Sequence, residues 1–270
     1  DPASIDTWEP TRVQRRLSLR GMDRCSRFAA VAAMSAMTGA GWSLRPRDCR
    51  DVGLILGMTH SPTASEDAYM TRITREGLGW TDLVSFPFLV VNSVVGNVSR
   101  ALGLRGFSSA LCGGHGAGLD GLFYGHQAVS LGRAPSVLAG GADELTPRLL
   151  EDLEVLGEAA AGPTAWAPGE GAAVFALERR VDAETRGADI LAHVLAGGST
   201  FLNDETTAHP ARWLRELLER AGVVPGELAA AWFSPDTPDQ PPMADVLGGL
   251  GFSGRVLPPL EASLGQAPAS

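Results

Sequence analysis

VGLILGM, residues Val52–Met58, is a run of apolar side chains and glycines with no polar residue at either parity. A half-buried strand alternates, and a helix shows its polar face every third or fourth residue. An unbroken short run fits a strand covered on both faces, the kind found in the middle of a parallel sheet. The rest of the chain follows the alternation this demands. SRFAAVAAMSAMTGAG (26–41) reads as an Ala-rich buried helix ending on Gly, and SEDAYMTRITREGLG (65–79) as a helix capped by Ser65 and closed by Gly. FPFLVVNSVVGNVSRALGL reads as a loop entering a further helix. GFSSALCGG (106–114) is a small-residue strand, GAGLDGLFYGHQAVSLG (116–132) a helix and PSVLAGGADEL (135–145) a strand, an order that implies a parallel pair with a right-handed crossover. EGAAVFALERR and ADILAHVLAGG (188–198) are expected to be strands, ARWLRELLERAG an amphipathic helix and LAAAWFSP (228–235) a strand. Strands apolar on both faces alternating with helices give an α/β layered fold.

Composition excludes several classes of function. The 270 residues are 44% apolar, enough for one large domain or two small ones. No window approaches the roughly 18 continuous apolar residues of a membrane span, and DPASIDTWEPTRVQRR carries no apolar leader, so the expected location is the cytoplasm, with no membrane partner. Three cysteines, Cys25, Cys49 and Cys112, without paired spacing argue against a disulfide framework, and the five scattered His argue against a metal site. No cofactor is expected. A net charge of -9 disfavours nucleic acid. All 22 basic residues are Arg, which removes Schiff-base chemistry by a side-chain amine. Arg12, Arg16, Arg20, Arg24 and Arg27 recur at near-helical spacing and form either a solvated face or a docking site for an acidic partner.

MDRCSRFAAVAAMSAMTGAG, VGLILG, LVVNSVVGNVSRALGLRG, SSALCGGHGAGLDGLFYGH with its sequel SLGRAPSVLAGGADEL, and PGEGAAVFALE stand in one order. That ordered set resembles a β-ketoacyl synthase of the thiolase fold over about two-thirds of the chain. The resemblance implies a thiolase-like layered α-β-α-β-α fold, reduced or incomplete relative to a full ketosynthase. Residues 1–180 would be the N-terminal half without its usual first strand, and 181–270 a shortened C-terminal half. The shortness has two readings, a reduced natural homologue or a part of a longer chain.

In such synthases the nucleophilic Cys sits at the strand-to-helix turn, where the helix dipole favours a thiolate. Ungapped alignment from LGLRG forwards, and from LAGGADE backwards, puts His115 in that place. Choosing Cys112 requires deleting three residues before it and inserting three after it, so Cys112 is expected inside a buried strand as a small hydrophobe. The family's His, Lys and second His fall at Pro235, Glu261 and Gln266.

Other candidates are weighed by position. His60, after the VGLILGMT strand, is placed to face the same end of the sheet as His115, where open α/β sheets bind ligands. His126 lies about three turns along the helix from His115, and His193, within a strand pattern, and His209, before a Pro, read as structural. Asp143, Glu144 and Glu170 read as loop and core-supporting carboxylates that need hydrogen-bond partners. LCGGHGAG satisfies neither phosphate-loop pattern. The resemblance with its missing catalytic groups leads to a non-extending subunit, comparable to a chain-length factor, that pairs with an active ketosynthase through GFSSALC. Self-dimerisation is the other assembly considered. An acyl carrier protein would dock on Arg12, Arg16 and Arg20. The alternative is an enzyme acting on carrier-bound acyl chains with His115 as general base, and a third reading is a fragment or scaffold without an acyl pocket.

Overall fold

The computed structural model describes residues 19–60, 62–80, 85–156, 168–200, 209–232 and 243–257. By compactness these fall into two units: residues 19–155 with 169–192, and a smaller one whose ordered elements lie within 209–257.

In the larger unit β1 (Val52–Met58) is buried at all seven positions, as its unbroken apolar run demands. It lies between β2 (Ser108–Cys112) and β3 (Ser136–Asp143), parallel to both. Beyond β3, β4 (Gly171–Glu178) runs antiparallel, giving the order β2-β1-β3-β4. The strands 106–114 and 135–145, expected to be neighbours, are therefore parallel but separated by β1. A strand apolar on both faces is best buried when both its edges are paired as well, and the central position gives it that.

The parity of β1 divides the core. Leu54, Leu56 and Met58 join α1 (Arg24–Gly39) and α3 (Asn92–Leu102) in one buried cluster that includes the fully buried Met37, Val94 and Val98. Ile55 points the other way, into a cluster with Val137 and Ala139 of β3 and with Ala128 and Val129 of α4 (Ala117–Ser130). Asp23 caps α1, accepting from the Ser26 amide at 2.7 Å. Asn97 of α3 donates to both the Asp23 carboxylate, at 3.2 Å, and the Ser26 hydroxyl, at 3.1 Å.

Close backbone approach seats α4. A Cβ on Gly57 would lie 1.8 Å from the Ala117 carbonyl oxygen, and one on Gly121 would lie 2.5 Å from that of Gly140. Both contacts are far inside van der Waals range, so the first turn of α4 rests directly on the β1 and β3 backbones.

Three expectations change. The helix expected at 65–79 is α2 (Thr63–Glu76), which begins two residues before Ser65 and has no side-chain cap; the Ala64 amide donates instead to Glu144 from β3's end, at 2.8 Å. ADILAHVLAGG forms no strand, and His193 is exposed outside any element. Leu191 is 92% exposed: apolar pattern alone does not make a strand where no described strand pairs with it. Of the strand expected at 228–235, the described part, 228–232, forms the three-residue strand β5 (Ala230–Trp232), and 233–235 lie outside the described residues.

After β3 comes α5 (Pro147–Leu156), and after β4 the short α6 (Arg180–Thr185). The smaller unit holds the amphipathic α7 (His209–Ala221), β5, α8 (Met243–Gly249) and β6 (Arg255–Leu257), with β5 and β6 paired in parallel. No helix among the described residues is long and apolar enough to cross a membrane.

Candidate functional site

The C-terminal ends of β1, β2 and β3 meet at one place, and register explains which residues arrive there. Met58 pairs with Cys112, so His60, two residues on, comes opposite Gly114. Gly57 pairs with Gly141, so Thr59 comes opposite Asp143. The Asp143 carboxylate accepts from the Thr59 amide at 3.0 and 2.9 Å and from the His60 amide at 3.0 Å. The Thr59 hydroxyl donates to the Gly114 carbonyl at 3.0 Å. Gly114 begins a short 3-10 turn, Gly114–Gly116, with φ +71°, and this turn carries His115 into the start of α4.

His115 thus sits in the strand-to-helix turn that the sequence assigned to it. Its ring is exposed and stands edge-on to the ring of His60, with centroids 6.5 Å apart and planes at 76°. His60 is half-buried, and its Nε2 is buried with no hydrogen-bond partner among the described residues. The structure therefore unites two of the three candidate catalytic residues through their rings. It also brings up the third, Cys112, in an unexpected state. Cys112 is exposed, not buried. It ends the edge strand β2, whose two terminal residues are both exposed, and its Sγ lies 3.9 Å from the Thr59 carbonyl. An edge strand has one flank uncovered, which a reading of its apolar content does not reveal.

The remaining candidates lie elsewhere. His126 contacts the Ser130 hydroxyl at 3.2 Å on α4 and His209 opens α7. Pro235, Glu261, Gln266, Arg12 and Arg16 lie outside the described residues, while Arg20 is exposed. Arg24 does not belong to an open basic face: its Nε and Nη2 donate to Glu170 at 2.8 and 2.5 Å, and its guanidinium lies 5.1 Å from the Phe28 ring centre. Glu170 also accepts from the Leu145 amide at 3.2 Å. Glu144 is 1% exposed and accepts from the Cys25 amide at 3.0 Å and the Ala64 amide. Burial raises its pKa above the ordinary 4.5, with Asp23 and Glu170 nearby adding to the rise and its two backbone donors opposing it. These two carboxylates have the partners their burial requires. Asp143 does more than the loop role expected of it, because it fixes the backbone that presents His60. Its position at the end of β3, level with the end of β1, was the available signal. Among the described residues no group of three or more His, Cys, Asp or Glu is arranged to hold a metal ion.

Residues 4–183 match the family model of the Beta-ketoacyl synthase, N-terminal domain. The chain belongs to the β-ketoacyl synthase family. Curated relatives of this ketosynthase-family chain include Nodulation protein E of Rhizobium leguminosarum bv. trifolii, 31% identical over 68% of this chain and 48% of the relative. Another is Putative polyketide beta-ketoacyl synthase 1 of Streptomyces virginiae, 29% identical over 82% of this chain and 56% of the relative. The chain spans about half the length of the curated relatives it matches. The ishigamide ketosynthase/chain length factor superposes with a TM-score of 0.73 at 23% identity, covering 85% of this chain and 60% of the other. A type II PKS acyl-carrier protein in complex with its ketosynthase bound to the hexaketide gives 0.70 at 22% identity, covering 86% and 63%. These likenesses establish the thiolase-like ketosynthase fold, of which the described residues build a reduced version.

Proposed function

We propose that this ketosynthase-family chain is a subunit of polyketide or fatty-acid biosynthesis that lacks condensing activity of its own, pairs with an active ketosynthase and shapes the acyl pocket. It works in the cytoplasm on this reading. The observation that carries it is the imidazole of His115 in the strand-to-helix turn, where the family's nucleophile belongs. An imidazole does not hold an acyl group as the stable thioester that chain extension requires. The ketosynthase/chain length factor neighbour supports pairing, and the neighbour solved with its acyl-carrier protein supports a carrier partner. Pairing would use the exposed edge of β2, and the carrier would dock on Arg12, Arg16 and Arg20. Co-expression with ketosynthases encoded nearby, followed by native mass measurement, tests the reading: a stable heterodimer is expected, and a monomer or homodimer with turnover of its own refutes it.

One observation favours a second reading, an enzyme acting on carrier-bound acyl chains by dehydration, isomerisation, acyl transfer or hydrolysis, with His115 as general base. General-base catalysis needs a second polar group near the reacting centre, and the His60 ring stands against that of His115. His115→Ala separates the readings. A tunnel-shaping role leaves the partnered synthase near normal output with altered chain length, whereas a general-base role loses about 10²- to 10⁴-fold.

A further inference from the structure

The buried Nε2 of His60 has no hydrogen-bond partner among the described residues. A desolvated polar atom left unpaired is costly, and a ligand that supplies the partner recovers that cost. The atom is also held in place. Both backbone amides at 59 and 60 are bound by Asp143, the Thr59 hydroxyl ties this strand end to the His115 turn, and the two rings meet edge-on at 6.5 Å. One imidazole is exposed and one is half-buried with an unused polar atom, so their environments suit two different roles.

We infer that His60 and His115 form a two-imidazole site that hydrolyses acyl thioesters, a step that rests on the second reading above and names its reaction and its second group. His115 accepts a proton from water as the water oxygen bonds to the thioester carbonyl carbon. The carbonyl electron pair moves onto oxygen, and, once the bound acyl group uncovers Nε2, the Nε2–H of His60 donates to that oxyanion. Collapse restores the carbonyl and breaks the C–S bond. The leaving sulfur takes the proton back from His115, so thioester and water become carboxylic acid and thiol with both imidazoles restored. Cys112 is not used, although its thiol is exposed beside the site.

The test uses hexanoyl-N-acetylcysteamine as thioester, with released thiol read by a chromogenic disulfide, and the matching hexanoyl amide as a ligand for calorimetry. The wild-type chain is expected to release thiol above the buffer rate. His115→Ala should lower kcat about 10²- to 10⁴-fold, and His60→Ala about 10²- to 10³-fold with KM little changed. His60→Gln, which retains an N–H donor, should recover part of the loss, a pattern that a merely structural role for His60 would not give. The double variant should be little worse than the poorer single one, because the two groups act on one transition state. If the amide binds but the thioester is not hydrolysed, this inference alone fails. Absence of both binding and hydrolysis removes the second reading with it. An unchanged kcat in His60→Ala overturns the inference, as does loss of turnover in Cys112→Ser, which would transfer the chemistry to the thiol.

Discussion

At the scale of single residues, charge and burial decide what each carboxylate and thiol does. Glu144 holds the first turns of α1 and α2 through two backbone amides, yet burial makes its ionised form costly. Its raised pKa means that the folded state binds a proton more tightly than the unfolded chain, so this group's contribution to stability falls as pH rises from about its ordinary value through the raised one. Glu144→Gln is expected to flatten that fall in pH-dependent urea denaturation, while Glu144→Ala, which strands both amides, should cost about 1–3 kcal/mol. Exposure of Cys112 sets a second expectation: a chloroacetyl or epoxide probe should label it in the native protein. His115→Cys should add a second reactive thiol without adding condensing activity. The turn that holds His115 was legible because a small-residue strand pattern ends just before it and a helix pattern begins just after it. The exposure of Cys112 was not, since it depends on which strand lies at the sheet's edge.

At the scale of elements, the sheet and its first covering helices were the readable part. The bounds of β1 coincide with its apolar run, and the αL glycine at 103, with φ +72°, stops α3 where the sequence places a Gly after its last apolar residue. Strand order was unreadable, because pairing partners are set by three-dimensional burial and not by succession along the chain. For the same reason the cap of α2 was misassigned: Ser65 is a plausible cap locally, but a carboxylate 79 residues past it, Glu144, takes the first-turn amide. The glycine seat of α4 gives the sharpest test at this level. Gly57→Ala drives a methyl group into the Ala117 carbonyl and is expected to destabilise the fold by about 1–3 kcal/mol, the usual cost of overpacking. Because the clash falls on the turn that carries His115, nuclear magnetic resonance shifts of both His60 and His115 should move, whereas those of the distant His126 should stay.

For the whole molecule, the proposed pairing would use the flank of β2 that no described strand covers, and the proposed carrier docking would use the exposed Arg20. Ser109→Arg or Ala110→Arg is expected to prevent assembly while leaving the chain folded, as read by native mass and circular dichroism. Equal hydrogen-exchange protection of β2 with and without the partner would count against pairing there. Carrier affinity should fall with salt and with charge reversal at Arg16 and Arg20. One feature of the frame bears on how such a protein changes its trade. The first turn of α4 rests on glycine backbone, and the His115 turn is tied to β1 by the hydroxyl of Thr59, so these contacts hold position 115 through its neighbours' backbone. A single codon exchanges thiol, imidazole or amide there while those backbone contacts stay, and a saturation library at 115 would sample different reactions from the same turn.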